Sequence, residues 1–137
     1  MLDVDYFKRF NDELGHQAGD DALRQLAAAL NRALTREGDC ICRYGGEEFA
    51  VILPGADASQ CLQAAGRVHE AVAKIAIHHP KTSVASGLLT VSIGAASLIP
   101  ASDKTPDELI RQADLALYQA KTNGRNRTEL GDETTTL

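Results

Sequence analysis

The densest chemistry in the chain lies in Arg43-Tyr44-Gly45-Gly46-Glu47-Glu48-Phe49, where two glycines are followed at once by two carboxylates. Glycines let backbone N–H groups come close to a phosphate, and adjacent carboxylates can hold the Mg²⁺ that a triphosphate carries. A third carboxylate, Asp3, stands in the apolar–acidic run from Met1 to Asp5. Transfers from a metal-bound phosphate are catalysed mainly by positioning and by neutralising phosphate charge, so carboxylates that share a metal must converge.

The elements that would position these groups can be read from periodicity. The runs Cys40-Ile41-Cys42-Arg43-Tyr44 and Phe49-Ala50-Val51-Ile52-Leu53 alternate like strands, which predicts a two-residue β-hairpin turning at Gly45-Gly46, type I′ in form. Asp3 would end a first strand and Glu47 would open the strand after the turn, side by side if the strands are neighbours. Phe7, Phe10 and Leu14 suggest a short helix up to Gly15; Leu23, Leu26, Leu30 and Leu34 predict a second from about Asp20 to Leu34, capped by Asp20 or Asp21. Leu62, Ala65, Val68, Val72 and Ile75 mark a third helix from about Ala58 to Ala76, broken by His78-His79-Pro80. A strand ending near Ala96 follows, then a helix opened by Thr105-Pro106-Asp107-Glu108 and closed near Asn123-Gly124, then a short strand over 127–130. This order gives an α+β domain with a largely antiparallel sheet and helices packed on it.

Composition narrows the function classes. At 137 residues and 44% hydrophobic content the chain suits one domain with a real core. A net charge of −5, from 14 Lys and Arg against 19 Asp and Glu, argues against nucleic acid or an anionic membrane as the main partner. A bound polyanion would need a local basic patch and a metal. Three cysteines without metal-type spacing suggest a reducing compartment, with Cys40 and Cys42 read as packing residues on one strand face. No run approaches the roughly 18 apolar residues of a membrane helix, and no signal peptide is visible, so a cytoplasmic location is expected.

Gly45-Gly46-Glu47-Glu48-Phe49 resembles the signature of the GGDEF family, the diguanylate cyclases. Asp3-Val4-Asp5-Tyr6-Phe7-Lys8, Asn11-Asp12, Gly15-His16, Gly19-Asp20, Lys121 and Asn123-Gly124-Arg125-Asn126 extend the resemblance in order over essentially the whole chain. It implies a ferredoxin-like sheet of the nucleotidyl-cyclase and polymerase-palm type over residues 1–130, while the polar composition of 131–137 suggests a disordered tail. It implies condensation of two GTP into cyclic di-GMP, with Mg²⁺ or Mn²⁺ held by Asp3, the Val4 carbonyl and Glu47. Glu47 would assist deprotonation of the attacking hydroxyl and Glu48 would support it. By the same resemblance Asn11 and Asp20 read guanine. The triphosphate is met by Lys8, Lys121, Arg125, the amides of Tyr6 and Phe7, and the Gly45-Gly46 backbone. Taken singly, Glu47 is a solvated turn residue, Asp20 a helix cap and Lys121 a dipole-complementing lysine; it is their company that favours the functional reading.

Arg36-Glu37-Gly38-Asp39 fits the family's RxxD inhibitory site for cyclic di-GMP, and Arg67 stands where a second arginine contributes. The family also implies that two domains, each with one GTP, meet as a homodimer to react. Relative to the family the chain is expected to lack an N-terminal helix, a DxLTGLxNRR-like segment and a sensor domain. A catalytically inactive GTP or cyclic di-GMP binding module is the alternative reading.

Overall fold

The computed structural model describes residues 1–132 of the chain. Its elements run β1 (Leu2–Val4), α1 (Phe7–Leu14), α2 (His16–Ala33), β2 (Cys40–Arg43), β3 (Glu48–Ile52), α3 (Ala58–Ile75), β4 (Val91–Ala95), α4 (Pro106–Thr122) and β5 (Thr128–Leu130). The strands form one sheet in the order β2-β3-β1-β4-β5, antiparallel throughout except for the parallel pair β4 and β5. This is the α+β class expected from the sequence. Among the described residues no helix is long and apolar enough to cross a membrane.

Side chains alternate across a strand, and β1 uses this to separate two environments. Leu2 and Val4 join Phe49, Val91 and Ile93 in the core, under Phe7 and Phe10 of α1, Leu23, Leu26 and Leu30 of α2, and Val68 and Val72 of α3. Asp3 has the opposite parity, pairs with Glu48 and Ser92, and lies on the side where α4 packs on β4. Gly94 allows that packing. A Cβ there would lie 2.0 Å from the Ala113 carbonyl oxygen and 2.2 Å from the Leu117 nitrogen, both backbone atoms that cannot swing aside.

Several expected boundaries shift for local reasons. Helix α2 begins at His16, a full turn before the expected Asp20, because Gly15 at φ 90° turns the chain and accepts the Gly19 N–H at 3.2 Å. Asp20 therefore lies inside the helix and caps nothing, while Asp21 pairs with Arg24 at 2.9 Å. The two-residue hairpin is also corrected. Arg43 pairs with Phe49, Tyr44 to Glu47 form a wider loop, and neither Gly45 nor Gly46 has the positive φ of a type I′ turn. Cys40 and Cys42 share a strand as expected, but β2 is an edge strand and both thiols are exposed rather than packed.

The N-cap of α4 stands where the sequence placed it, and α3 carries one that its periodicity did not announce. Asp57 accepts from Gln60 N at 2.8 Å while the Gln60 side chain takes the Asp57 N–H at 2.9 Å, a complete capping box for α3. Thr105 Oγ1 accepts from Glu108 N at 3.2 Å, with Pro106 opening α4. Of the tail expected over 131–137, Gly131 is tied to the Ala95 carbonyl at 2.7 Å, and residues 133–137 lie outside the described residues. Gly94→Ala is expected to destabilise the chain by about 3 kcal/mol through forced separation of α4 from β4, read as a lower urea midpoint.

Candidate functional site

The predicted carboxylates converge where β1 meets β3. Asp3 pairs directly with Glu48, so these two, and not Asp3 and Glu47, are the cross-strand neighbours. Glu47 is the last loop residue before β3, and its carbonyl accepts the Val4 N–H at 3.2 Å. Asp3 is 8% exposed. Burial, together with repulsion from Glu47 and Glu48, raises its pKa from 3.8 to about 6 against the opposing pull of Lys121. That lysine, from the last turn of α4, reaches Asp3 Oδ2 at 3.2 Å.

The glycine loop is held from below by Arg43, a residue whose role the sequence did not disclose. Its guanidinium donates to the Gly45 carbonyl at 3.3 Å and to the Gly46 carbonyl at 2.7 and 3.1 Å. The Tyr44 and Gly45 amides both donate to the Glu48 carbonyl, at 2.9 and 3.3 Å. A Cβ at Gly45 would stand 3.2 Å from Glu48 Oε2, so glycine there leaves room for the carboxylate.

On the helical side, Asn11 and Gly19 meet where α1 and α2 fold back on each other. A Cβ at Gly19 would fall 1.8 Å from Asn11 Oδ1, an oxygen that is buried without a hydrogen-bond partner. Asp20, next to Gly19, is exposed and lines a cleft of about 440 Å³ with Leu23, Arg24, Arg43 and Phe49. Lys8 is exposed and reaches Asp12 at 3.1 Å, one turn along α1, rather than the acidic cluster.

After α4, Arg125 and Asn126 adopt consecutive left-handed conformations at φ 62° and 46°. The Arg125 guanidinium lies 4.4 Å from the Tyr6 ring centroid and its Nη1 is 3.3 Å from the Tyr6 hydroxyl. Arg9 covers the same ring at 4.3 Å. Tyr6 itself is left-handed at φ 54°. Its carbonyl accepts from Nε2–H of the buried His79 at 2.9 Å, a tautomer set by Nδ1 accepting the Lys81 N–H at 3.3 Å. His79 was legible in sequence only as part of a helix breaker.

The Arg36–Asp39 turn lies apart from this cluster. Arg36 donates to the Pro54 carbonyl, and its Nε stands 3.7 Å from Asp39 Oδ1. The Asp39 side chain is 1% exposed, yet neither carboxylate oxygen accepts a hydrogen bond. Arg67, from α3, donates Nε–H to the Ala33 carbonyl at 3.0 Å, at the end of α2.

Among the described residues no three His, Cys, Asp or Glu side chains are gathered closely enough to enclose a metal by themselves. The chemistry of the donor set nevertheless suits a hard dication. Asp3 is a partly desolvated carboxylate repelled by two others, and a bound cation would relieve both penalties.

Known proteins bear on the same residues. Residues 1–127 match the family model described as "Diguanylate cyclase, GGDEF domain". The chain is 42% identical over 130 residues to the probable diguanylate cyclase DgcC of Escherichia coli, covering 95% of this chain and 33% of that protein. It is 38% identical over 128 residues to the response regulator PleD of Caulobacter vibrioides, covering 92% and 27%. The chain thus spans about a third of the length of these curated relatives. A crystal structure of the GGDEF domain of DgcB from Caulobacter crescentus in complex with c-di-GMP superposes with a TM-score of 0.81 at 36% identity, covering 94% of this chain and 74% of that one. The active GGEEF domain of a diguanylate cyclase from Vibrio cholerae gives 0.79 at 29% identity, covering 97% and 81%. With the family match running from the first residue through the Arg125 turn, the chain belongs to the GGDEF-domain family of diguanylate cyclases.

Proposed function

We propose that the chain is a diguanylate cyclase catalytic domain that condenses two GTP into cyclic di-GMP and releases pyrophosphate. The observation that carries this reading is the acidic cluster of Asp3, Glu47 and Glu48 faced by Lys121, one turn of chain before Arg125. Carboxylates and cations at one sheet end are what a metal-bound triphosphate needs, the former for the metal and the latter for the phosphates.

In this reading Asp3, the Val4 carbonyl and Glu47 hold Mg²⁺ or Mn²⁺, with Glu48 in support. The ion, when bound, neutralises phosphate charge and lowers the pKa of the attacking hydroxyl. Glu47 takes the hydroxyl proton, Lys121 and Arg125 bind the phosphates, and the Tyr6, Phe7, Gly45 and Gly46 backbone borders them. Asn11 and Asp20 read guanine; the unpartnered Asn11 oxygen and the absence of any capping duty for Asp20 support that role. Lys8 contributes by swinging from Asp12, a surface pair that is worth little to keep. Each domain carries one GTP, so two copies must meet for the reaction to occur.

Product inhibition is the finer part of the proposal. A carboxylate buried without acceptor contacts is costly, and a guanine edge donating to Asp39 while Arg36 and Arg67 meet phosphate would satisfy it.

Three measurements test the proposal. With GTP and Mg²⁺, separated nucleotides are expected to include cyclic di-GMP and pyrophosphate, and Glu47→Gln is expected to cut product by at least about a hundredfold. A folded protein that binds GTP yet forms no product on long incubation would instead favour a catalytically inactive binding module. Arg36→Ala is expected to weaken cyclic di-GMP binding by about tenfold, and unchanged calorimetric affinity would remove the inhibitory site. The Asp3 shift has a definite sign. A carboxyl pKa raised to about 6 from 3.8 means that stability is greatest below the unfolded value and is lost as pH rises through 6. Metal-free Asp3→Asn should therefore melt above the parent at pH 7.5, with the gap closing toward pH 4, while Mg²⁺ should raise the parent's Tm more at pH 7.5 than at pH 5.

A further inference from the structure

Asp5 follows β1 directly, and the chemistry above leaves it unused. It is 1% exposed and accepts three hydrogen bonds: from Thr90 Oγ1 at 2.8 Å, from Ser92 Oγ at 2.6 Å and from the backbone N–H of Asn126 at 3.0 Å. The two hydroxyls come from the segment leading into and along β4, and they fix the plane of the carboxylate. Its Oδ2 takes both the Thr90 hydroxyl and the Asn126 N–H, and so faces the turn after α4.

That turn is the one that presents Arg125. Non-glycine residues rarely occupy the left-handed region, and two in succession persist only where surrounding contacts hold them. The Arg125 N–H is tied to the Ala120 carbonyl at 2.9 Å, and the Arg127 carbonyl accepts the Ile93 N–H at 2.9 Å. Between these anchors, the contact that the described residues offer to the Asn126 N–H is Asp5. The next residue, Tyr6, lies against the Arg125 guanidinium. Consecutive residues at the end of β1 thus hold the backbone and the side chain of one arginine. A buried carboxylate is an expensive way to glue a sheet, since an apolar network of the same shape is often as stable. Its value here lies in direction.

We propose that Asp5 is a positioning residue for nucleotide binding: through the Asn126 N–H it holds the left-handed Arg125–Asn126 turn and thereby sets the Arg125 guanidinium against the β- and γ-phosphates. The proposal rests on the reading of Arg125 as a triphosphate ligand. It makes Asp5 matter to GTP and not to a nucleotide lacking those phosphates.

The test measures equilibrium binding of the α-thio analogue of GTP and of GMP, with Mg²⁺ present, to the parent, Asp5→Ala, Arg125→Ala and the double variant. Loss of one charge-assisted phosphate contact corresponds to about tenfold in affinity. Asp5→Ala and Arg125→Ala are each expected to weaken the analogue by about that factor and leave GMP unchanged, with the double variant no worse than either. Equal weakening of the analogue and GMP by Asp5→Ala, or a double variant whose losses multiply, would overturn the positioning role while leaving the reading of Arg125 intact. An unaffected Arg125→Ala would instead overturn the triphosphate reading and the proposal with it. If Asp5→Ala does not fold, the triple variant Asp5→Leu, Thr90→Val, Ser92→Ala replaces the whole polar network with apolar side chains. It should be folded and still lose about tenfold for the analogue alone; binding at the parent's affinity would overturn the proposal.

Discussion

The structure depends on one constraint, the two-residue period of a strand only three residues long. Leu2 and Val4 must enter the core, and that obligation sends Asp3 to the opposite side, where water is scarce and α4 lies close. Asp5, just past the strand, is buried more deeply still. A register slip by one residue would move the carboxylates in among Phe7, Phe10 and Leu26, away from Lys121, Thr90 and Ser92, and would set two aliphatic side chains against those polar groups. The core therefore specifies the site: the apolar residues that stabilise the fold also dictate where the acidic groups stand. Glu47 and Glu48 repel Asp3 across this arrangement, and Lys121 offsets that repulsion only in part.

Two elements from distant parts of the chain meet at this strand. The loop before β3 brings carboxylates, and the end of α4 brings cations, so opposite charges are delivered by different connections and meet only in the folded state. Arg43 and Asp5 perform matching services for the two deliveries. One binds the carbonyls of the glycine loop and the other accepts an amide of the Arg125 turn. Behind them, His79 supports the Tyr6 carbonyl and packs edge-on against Phe10 at 5.2 Å, linking the site backbone to the core.

Legibility in the sequence followed the range of the interactions. Helices α3 and α4 and the N-cap of α4 were readable because periodicity and capping are local, and the strand alternation of β2, β3 and β4 carried the sheet. The glycine loop was misjudged as a tight hairpin because its width is set by Arg43 reaching back to two carbonyls and by Glu48 pairing with Asp3, contacts that alternation does not encode. The start of α2 was misplaced because its first turn is polar and contains Gly19, whose purpose is to clear Asn11. The exposure of Cys40 and Cys42 followed from strand order, and the partners of Asp5 lie 85 to 121 residues away. The motif identified which residues to watch; the distances among them required the fold.

The contact between Gly94 and the α4 backbone also limits how such a site can be redesigned. Helix and sheet touch there through main-chain atoms with no spare clearance, so the backbone from which Lys121 reaches Asp3 cannot come closer to β4. Smaller side chains under α4 would not change that. The adjustable joint is the turn from Asn123 to Arg127, outside the helix, where loop length and handedness decide how far a cation reaches. Engineering effort aimed at changing what the site grips belongs in those five positions.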